Sequence, residues 1–81
     1  MNDIEQRVKT VVAEQLNLPI EDVKNESDIR DNLYADDSDI IEIITALEDE
    51  FHIEIFDPEF FEKVIAVQQV IDHITRKLWV N

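Results

Sequence analysis

Glycine and cysteine are both missing from the 81 residues. Without cysteine there is no disulfide, no thiolate metal site and no thiol nucleophile. Without glycine the phosphate-cradling loops fail, because their backbone must approach the ligand where a Cβ would intrude. An EF-hand loop fails for the same reason, since its sixth position needs glycine for a sharp turn. The stretch from Asp31 to Glu42 also offers Leu33 and Ala35 where oxygen ligands belong. Tight hairpins built on positive φ are disfavoured too. Basic residues are scarce: seven Lys and Arg stand against twenty Asp and Glu, for a formal net charge of −13. Such a surface repels nucleic acid and anionic lipid, and no basic patch interleaved with aromatics is present. No window approaches the roughly eighteen apolar residues of a membrane span, and Met1-Asn2-Asp3-Ile4-Glu5 is not a basic segment leading an apolar run. The expectation is a soluble, cytoplasmic, monomeric protein forming one domain over residues 1–81.

The acidic residues that dominate the composition are unevenly placed. From Asp36 to Glu62 there are eleven carboxylates and no Lys or Arg. The cations lie towards the two ends: Arg7, Lys9, Lys24 and Arg30, then Lys63, Arg76 and Lys77. A band of one sign in the middle of a short chain suits docking against basic partner surfaces.

Apolar spacing is helical. Ile4, Val8, Val11, Val12 and Leu16 share one face of a first helix, with Asn2 or Asp3 as N-cap and Asn17 at its end. Residues 18–35 lack sustained periodicity and read as a long loop, pinned by Ile20, Val23, Ile29 and Leu33, with a helical turn after Pro19. Asp36, Asp37, Ser38 and Asp39 offer caps for a second helix, whose dipole the three carboxylates complement. Ile40, Ile43, Ile44, Leu47 and Phe51 form its buried stripe. Ser38, Glu42, Thr45 and Asp49 lie opposite, and Ile41 flanks the polar face. His52 to Asp57 reads as a connector in which Ile53 and Ile55 alternate as in a strand, but no partner strand is present. A short helix follows Pro58, anchored by Phe60 and Phe61. A final helix over Val67–Leu78 buries Val67, Val70, Ile71, Ile74 and Leu78 and carries Arg76 and Lys77 near its C-terminus. The fold class is all-α: three main helices, one short helix and a long loop between the first and second.

Few side chains are arranged for chemistry. His52 and His73 have no helical pairing and no cysteine to join them, so no zinc site is expected, and neither has a route to a serine. Carboxylate pairs abound, but so small a chain offers little concave, desolvated space in which to make them an acid and a base. No enzyme is expected. Ser38 remains, at the positive end of the second helix on its solvent side. It admits two readings: an early-turn hydroxyl common at helix starts, or a covalent attachment point, where a phosphodiester would be favoured by the dipole.

The run Asn32-Leu33-Tyr34-Ala35-Asp36-Asp37-Ser38-Asp39-Ile40-Ile41-Glu42 resembles the signature of the acyl carrier protein family, an apolar residue leading into Asp-Ser at the start of the second helix. Ala46-Leu47-Glu48-Asp49-Glu50-Phe51, Glu54-Ile55, Glu14-Gln15-Leu16 and Val67-Gln68-Gln69-Val70-Ile71 extend the resemblance over nearly the whole chain. It implies an acyl-carrier-like bundle of the kind already read from periodicity. It also implies a function: shuttling acyl groups as thioesters on a 4′-phosphopantetheine arm, derived from coenzyme A, between enzymes of fatty-acid, polyketide or related lipid biosynthesis. The implied partners are a phosphopantetheinyl transferase and acyl-transferring or condensing enzymes with basic patches. The docking positions are Asp37, Asp39, Ile41, Glu42, Glu48 and Asp49.

One departure bears on the site. Aligned without gaps, the family's attachment serine falls on Asp37, and Ser38 takes the place of the apolar residue that follows it. On a helix that offset turns the hydroxyl by about 100° and moves it about 1.5 Å along the axis. Three accounts stay open: modification at Ser38, an unmodified carrier-like interaction module whose Asp37 supplies a negative charge, or an altered chain. Modification at Ser38 is the expectation taken forward. Tyr34, where the family often has glycine, is a second departure.

Overall fold

The computed structural model describes residues 3–54, 57–63 and 66–79. Its helices are α1 (Asp3–Leu16), α2 (Asp37–Phe51), α3 (Pro58–Lys63) and α4 (Val67–Trp79), with a 3-10 turn at Ile20–Asp22. This is the expected all-α bundle of three main helices, one short helix and a long first connection. The turn after Pro19 is present, and α4 runs one residue past its predicted end. Asn2 and Ile55 lie outside the described residues, as does the side chain of Phe61; Asp3 is the first helical residue of α1 rather than a described cap.

Helix α1 packs against both α2 and α4. The core draws on Val8, Val11 and Val12 of α1, Ile40, Ile43, Ile44, Leu47 and Phe51 of α2, and Val67, Val70, Ile71 and Ile74 of α4. These are the stripes that the 3.6-residue period selects. Leu78 and Leu16 are only partly buried, at the edge of that cluster.

The long loop is held by Val23, Ile29 and Leu33, all buried, together with Ala35 and the polar Ser27. Ile20, expected as a pin, is instead 37% exposed, because the 3-10 turn points it outward from the stretch that Val23 anchors. The loop also caps α4. The amides of Val67 and Gln68, unpaired donors at a helix start, bond the carbonyls of Ser27 (3.0 Å) and Asn25 (2.8 Å). Asn25 Nδ2 adds a bond to Gln68 Oε1 at 2.6 Å.

A chain without glycine still has to close its helices. Asn17, at φ 57°, ends α1, with Leu18 N donating to the Ala13 carbonyl at 2.9 Å across the left-handed turn. His52, also at φ 57°, ends α2, and Ile53 N reaches the Glu48 carbonyl at 3.3 Å. Leu18 and Ile53 then pack against the core, the apolar contact that accompanies this kind of helix end. Phe60 of α3 stacks on His73 of α4 with ring centroids 4.0 Å apart, so this histidine serves a helix contact. Among the described residues no helix is long and apolar enough to cross a membrane.

Candidate functional site at the start of α2

Asp36 is the N-cap of α2, with an extended backbone and its Oδ1 accepting from the amide of Asp39 at 2.9 Å. Asp39 returns the bond, its Oδ2 accepting from the Asp36 amide at 3.1 Å, which completes a capping box built from two aspartates. Of the four carboxylate-flanked positions 36–39, these two are therefore committed to the backbone.

Asp37 and Ser38 follow as the first and second residues of the helix, both exposed. The Asp37 carboxylate pairs with the guanidinium of Arg30, reaching across from the loop. The Ser38 hydroxyl has no hydrogen-bond partner among the described residues, and the amides of Asp37 and Ser38 have no acceptor there. An accessible hydroxyl beside two open N–H groups at a helix start is chemically suited to an anionic ester, since the dipole and the amides both favour negative charge. The surrounding carboxylates oppose it, and Arg30 is the cation set against them.

The approach to this helix start is fixed by a compact turn. Asp28 Oδ1 accepts from the amides of Arg30 (2.9 Å) and Asp31 (2.7 Å), while Asn32 Oδ1 accepts from the Asp28 amide at 2.8 Å. The amides of Leu33 and Ala35 bond the carbonyls of Asp28 and Ile29, both at 3.1 Å. Leu33 and Ala35 are thereby drawn into the core, and Tyr34 between them is expelled, 83% exposed with φ 61°.

Along α2, Ser38, Ile41, Glu42, Thr45 and Asp49 are all exposed. They recur at three- and four-residue steps and so form one continuous solvent stripe. Ile41 is 47% exposed, an apolar spot on an acidic strip. Two of the expected docking residues stand apart from it: Glu48 is half-buried, and Asp39 is engaged in the cap. Sequence reasoning singled out Tyr34 as a departure but missed Arg30 as part of this site. The cation's address seven residues before Asp37 was visible, but the turn that bends the loop back was not. A shallow cleft of about 450 Å³ lies elsewhere, between α1 and the loop, lined by residues including Gln6, Lys9, Val23 and Lys24.

A family model described as "Phosphopantetheine attachment site" matches residues 6–74, from the first turns of α1 to the last buried isoleucine of α4. The matched span includes the whole helix start built by Asp36, Asp37 and Ser38, and it covers most of the chain. The chain belongs to the phosphopantetheine attachment site family, a family membership consistent with the acyl carrier proteins it resembles.

Proposed function

We propose that this protein is an acyl carrier whose 4′-phosphopantetheine is attached at Ser38. The observation that carries the reading is the free, exposed Ser38 hydroxyl in the first turn of α2, inside the span that matches a phosphopantetheine attachment family. Attachment forms a bond from Ser38 Oγ to the phosphorus of coenzyme A that bears pantetheine. It breaks the bond from that phosphorus to the bridging oxygen, releases 3′,5′-ADP and passes the hydroxyl proton to a base of the transferase. When bound, the group supplies a thiol on a long arm, where an acyl chain is held as a thioester for enzymes of fatty-acid, polyketide or related lipid synthesis.

The protein's own residues give the rest. Asp36 and Asp39 fix the helix start that presents Ser38, and the open amides of Asp37 and Ser38 would favour a negatively charged ester there. Glu42 and Asp49 offer charge to a basic partner surface, with Ile41 as an apolar contact beside them.

A second reading has its own observation. Asp37 stands where the family's serine falls in an ungapped alignment, and it is already paired with Arg30. An unmodified interaction module, docking through the acidic face of α2, would need nothing more. The test is an intact mass after incubation with coenzyme A and a broad-specificity phosphopantetheinyl transferase. The expected result is a gain of one phosphopantetheine that vanishes in Ser38→Ala and slows when Glu42 and Asp49 are both changed to Lys. A parent chain that gains nothing, alongside an Asp37→Ser variant that is modified, establishes the second reading instead.

A further inference from the structure

Asp31 to Glu62 contains neither Lys nor Arg, so Arg30 is the last cation before Lys63. Its guanidinium meets the carboxylate of Asp37, the residue immediately preceding Ser38. This placement is built. The Arg30 amide is tied to Asp28 Oδ1, and the residue before it, Ile29, is 2% exposed, so the turn is nailed to the core at its base. The Arg30 side chain is 33% exposed against 73% for Asp37, which makes the cation the better-fixed partner of the two. Asp36 and Asp39, the other carboxylates flanking Ser38, give their oxygens to each other's amides. Arg30 therefore compensates the one flanking carboxylate that the cap leaves over.

We infer that Arg30 is a positioning residue for modification of Ser38. It cancels the charge of Asp37 and holds that carboxylate to one side, so that the anionic pyrophosphate of coenzyme A can reach the hydroxyl. The inference rests on the Ser38 reading above. In the transfer, the Oγ–phosphorus bond forms as the phosphorus–oxygen bond to 3′,5′-ADP breaks. The incoming substrate carries several negative charges and the product phosphodiester keeps one. A bare Asp37 opposes both, more strongly as ionic strength falls.

The experiment uses the full chain, coenzyme A and a broad-specificity phosphopantetheinyl transferase, with kcat/KM read by intact mass at low and high salt. Arg30→Gln should lower kcat/KM about three- to tenfold at low salt, the range expected for one partly exposed charge pair facing a multiply charged substrate. The deficit should shrink at high salt. Arg30→Lys should recover most of the rate, and Arg30→Gln with Asp37→Asn should return close to the parent, since the charge needing compensation is gone. Circular dichroism of each variant establishes that α2 is retained. A loss in Arg30→Gln that ignores salt and persists in the double variant overturns the inference, because Arg30 would then only hold the loop. A rate equal to the parent overturns it as well. A parent chain that is never modified removes the Ser38 reading and this inference together, whereas a modified parent with an indifferent Arg30 removes this inference alone.

Discussion

At its C-terminal end α2 is fastened to another helix, whereas its N-terminal end is closed by a local capping box and an ion pair from the preceding loop, with Ser38 exposed to solvent. Arg7 of α1 donates from Nε to Glu50 Oε2 and from Nη2 to the Glu50 carbonyl, both at 2.8 Å, and its guanidinium lies 4.3 Å from the centre of the Phe51 ring. One cation thus satisfies the carboxylate and an end-of-helix carbonyl of Glu50, 43 residues away, and the aromatic face of the next residue, Phe51. The opposite end has a capping box made within four residues and an ion pair from Arg30 of the loop. On the reading proposed above, a helix anchored at its C-terminal end would be gripped along its solvent stripe while Ser38 stays accessible to the transferase.

Breaking the base should cost most. Arg7→Ala removes two charge-assisted hydrogen bonds and a cation–π contact. With Arg7 and Glu50 side chains 38% and 39% exposed, solvent screening holds the loss to about 1.5 kcal/mol. In a domain of this size that is roughly 6–12 °C in Tm. Thermal or urea unfolding measures it, and a loss below that of the cap variant described next would invert the comparison of the two ends.

Breaking the tip should cost less and stay local. Asp36→Ala removes the acceptor for the Asp39 amide and should destabilise by about 1 kcal/mol, reduced by relief of repulsion among neighbouring carboxylates. Asp36→Asn keeps an acceptor and sheds the charge, so it should retain most of the stability. Amide hydrogen exchange resolves the two: protection at Asp39 and Ile40 should fall in the alanine variant while protection near Leu47 follows only the global change. Equal loss in both variants would mean that charge, and not the hydrogen bond, holds this helix start.

How much of this was legible depended on the range of the interaction. Helix positions came from periodicity: the stripe of Ile40, Ile43, Ile44, Leu47 and Phe51 is the buried face of α2, and Ser38, Glu42, Thr45 and Asp49 are its exposed one. Those are local facts, repeated every three or four residues. Asn17 could be placed at a helix end because asparagine tolerates the left-handed conformation there. The ion pairs of Arg7 and Arg30 could not be placed, since each depends on how a loop or a second helix returns in space. Ile20 was misassigned for a related reason: an apolar residue in an aperiodic loop has no period to show which way it faces. The left-handed turn at Tyr34, φ 61°, was signalled only by the glycine often found there in the family the chain resembles, and that at His52, φ 57°, only by the weak tolerance of histidine for positive φ.

Tyr34 gives the smallest effect and the only gain. Its backbone, at φ 61°, lies where a Cβ crowds the carbonyl, at a cost of about 1 kcal/mol for an L-residue. With the side chain 83% exposed, little packing offsets that cost. Glycine removes the steric term but brings more freedom to the unfolded chain, so Tyr34→Gly should stabilise by about 0.5 kcal/mol. Tyr34→Ala keeps the Cβ and loses only the ring, so it should be neutral. Urea unfolding of the three proteins separates the terms. A gain in the alanine variant matching that in the glycine variant would place the cost in the exposed ring, and a loss in both would mean that the ring holds the tip of α2 from outside.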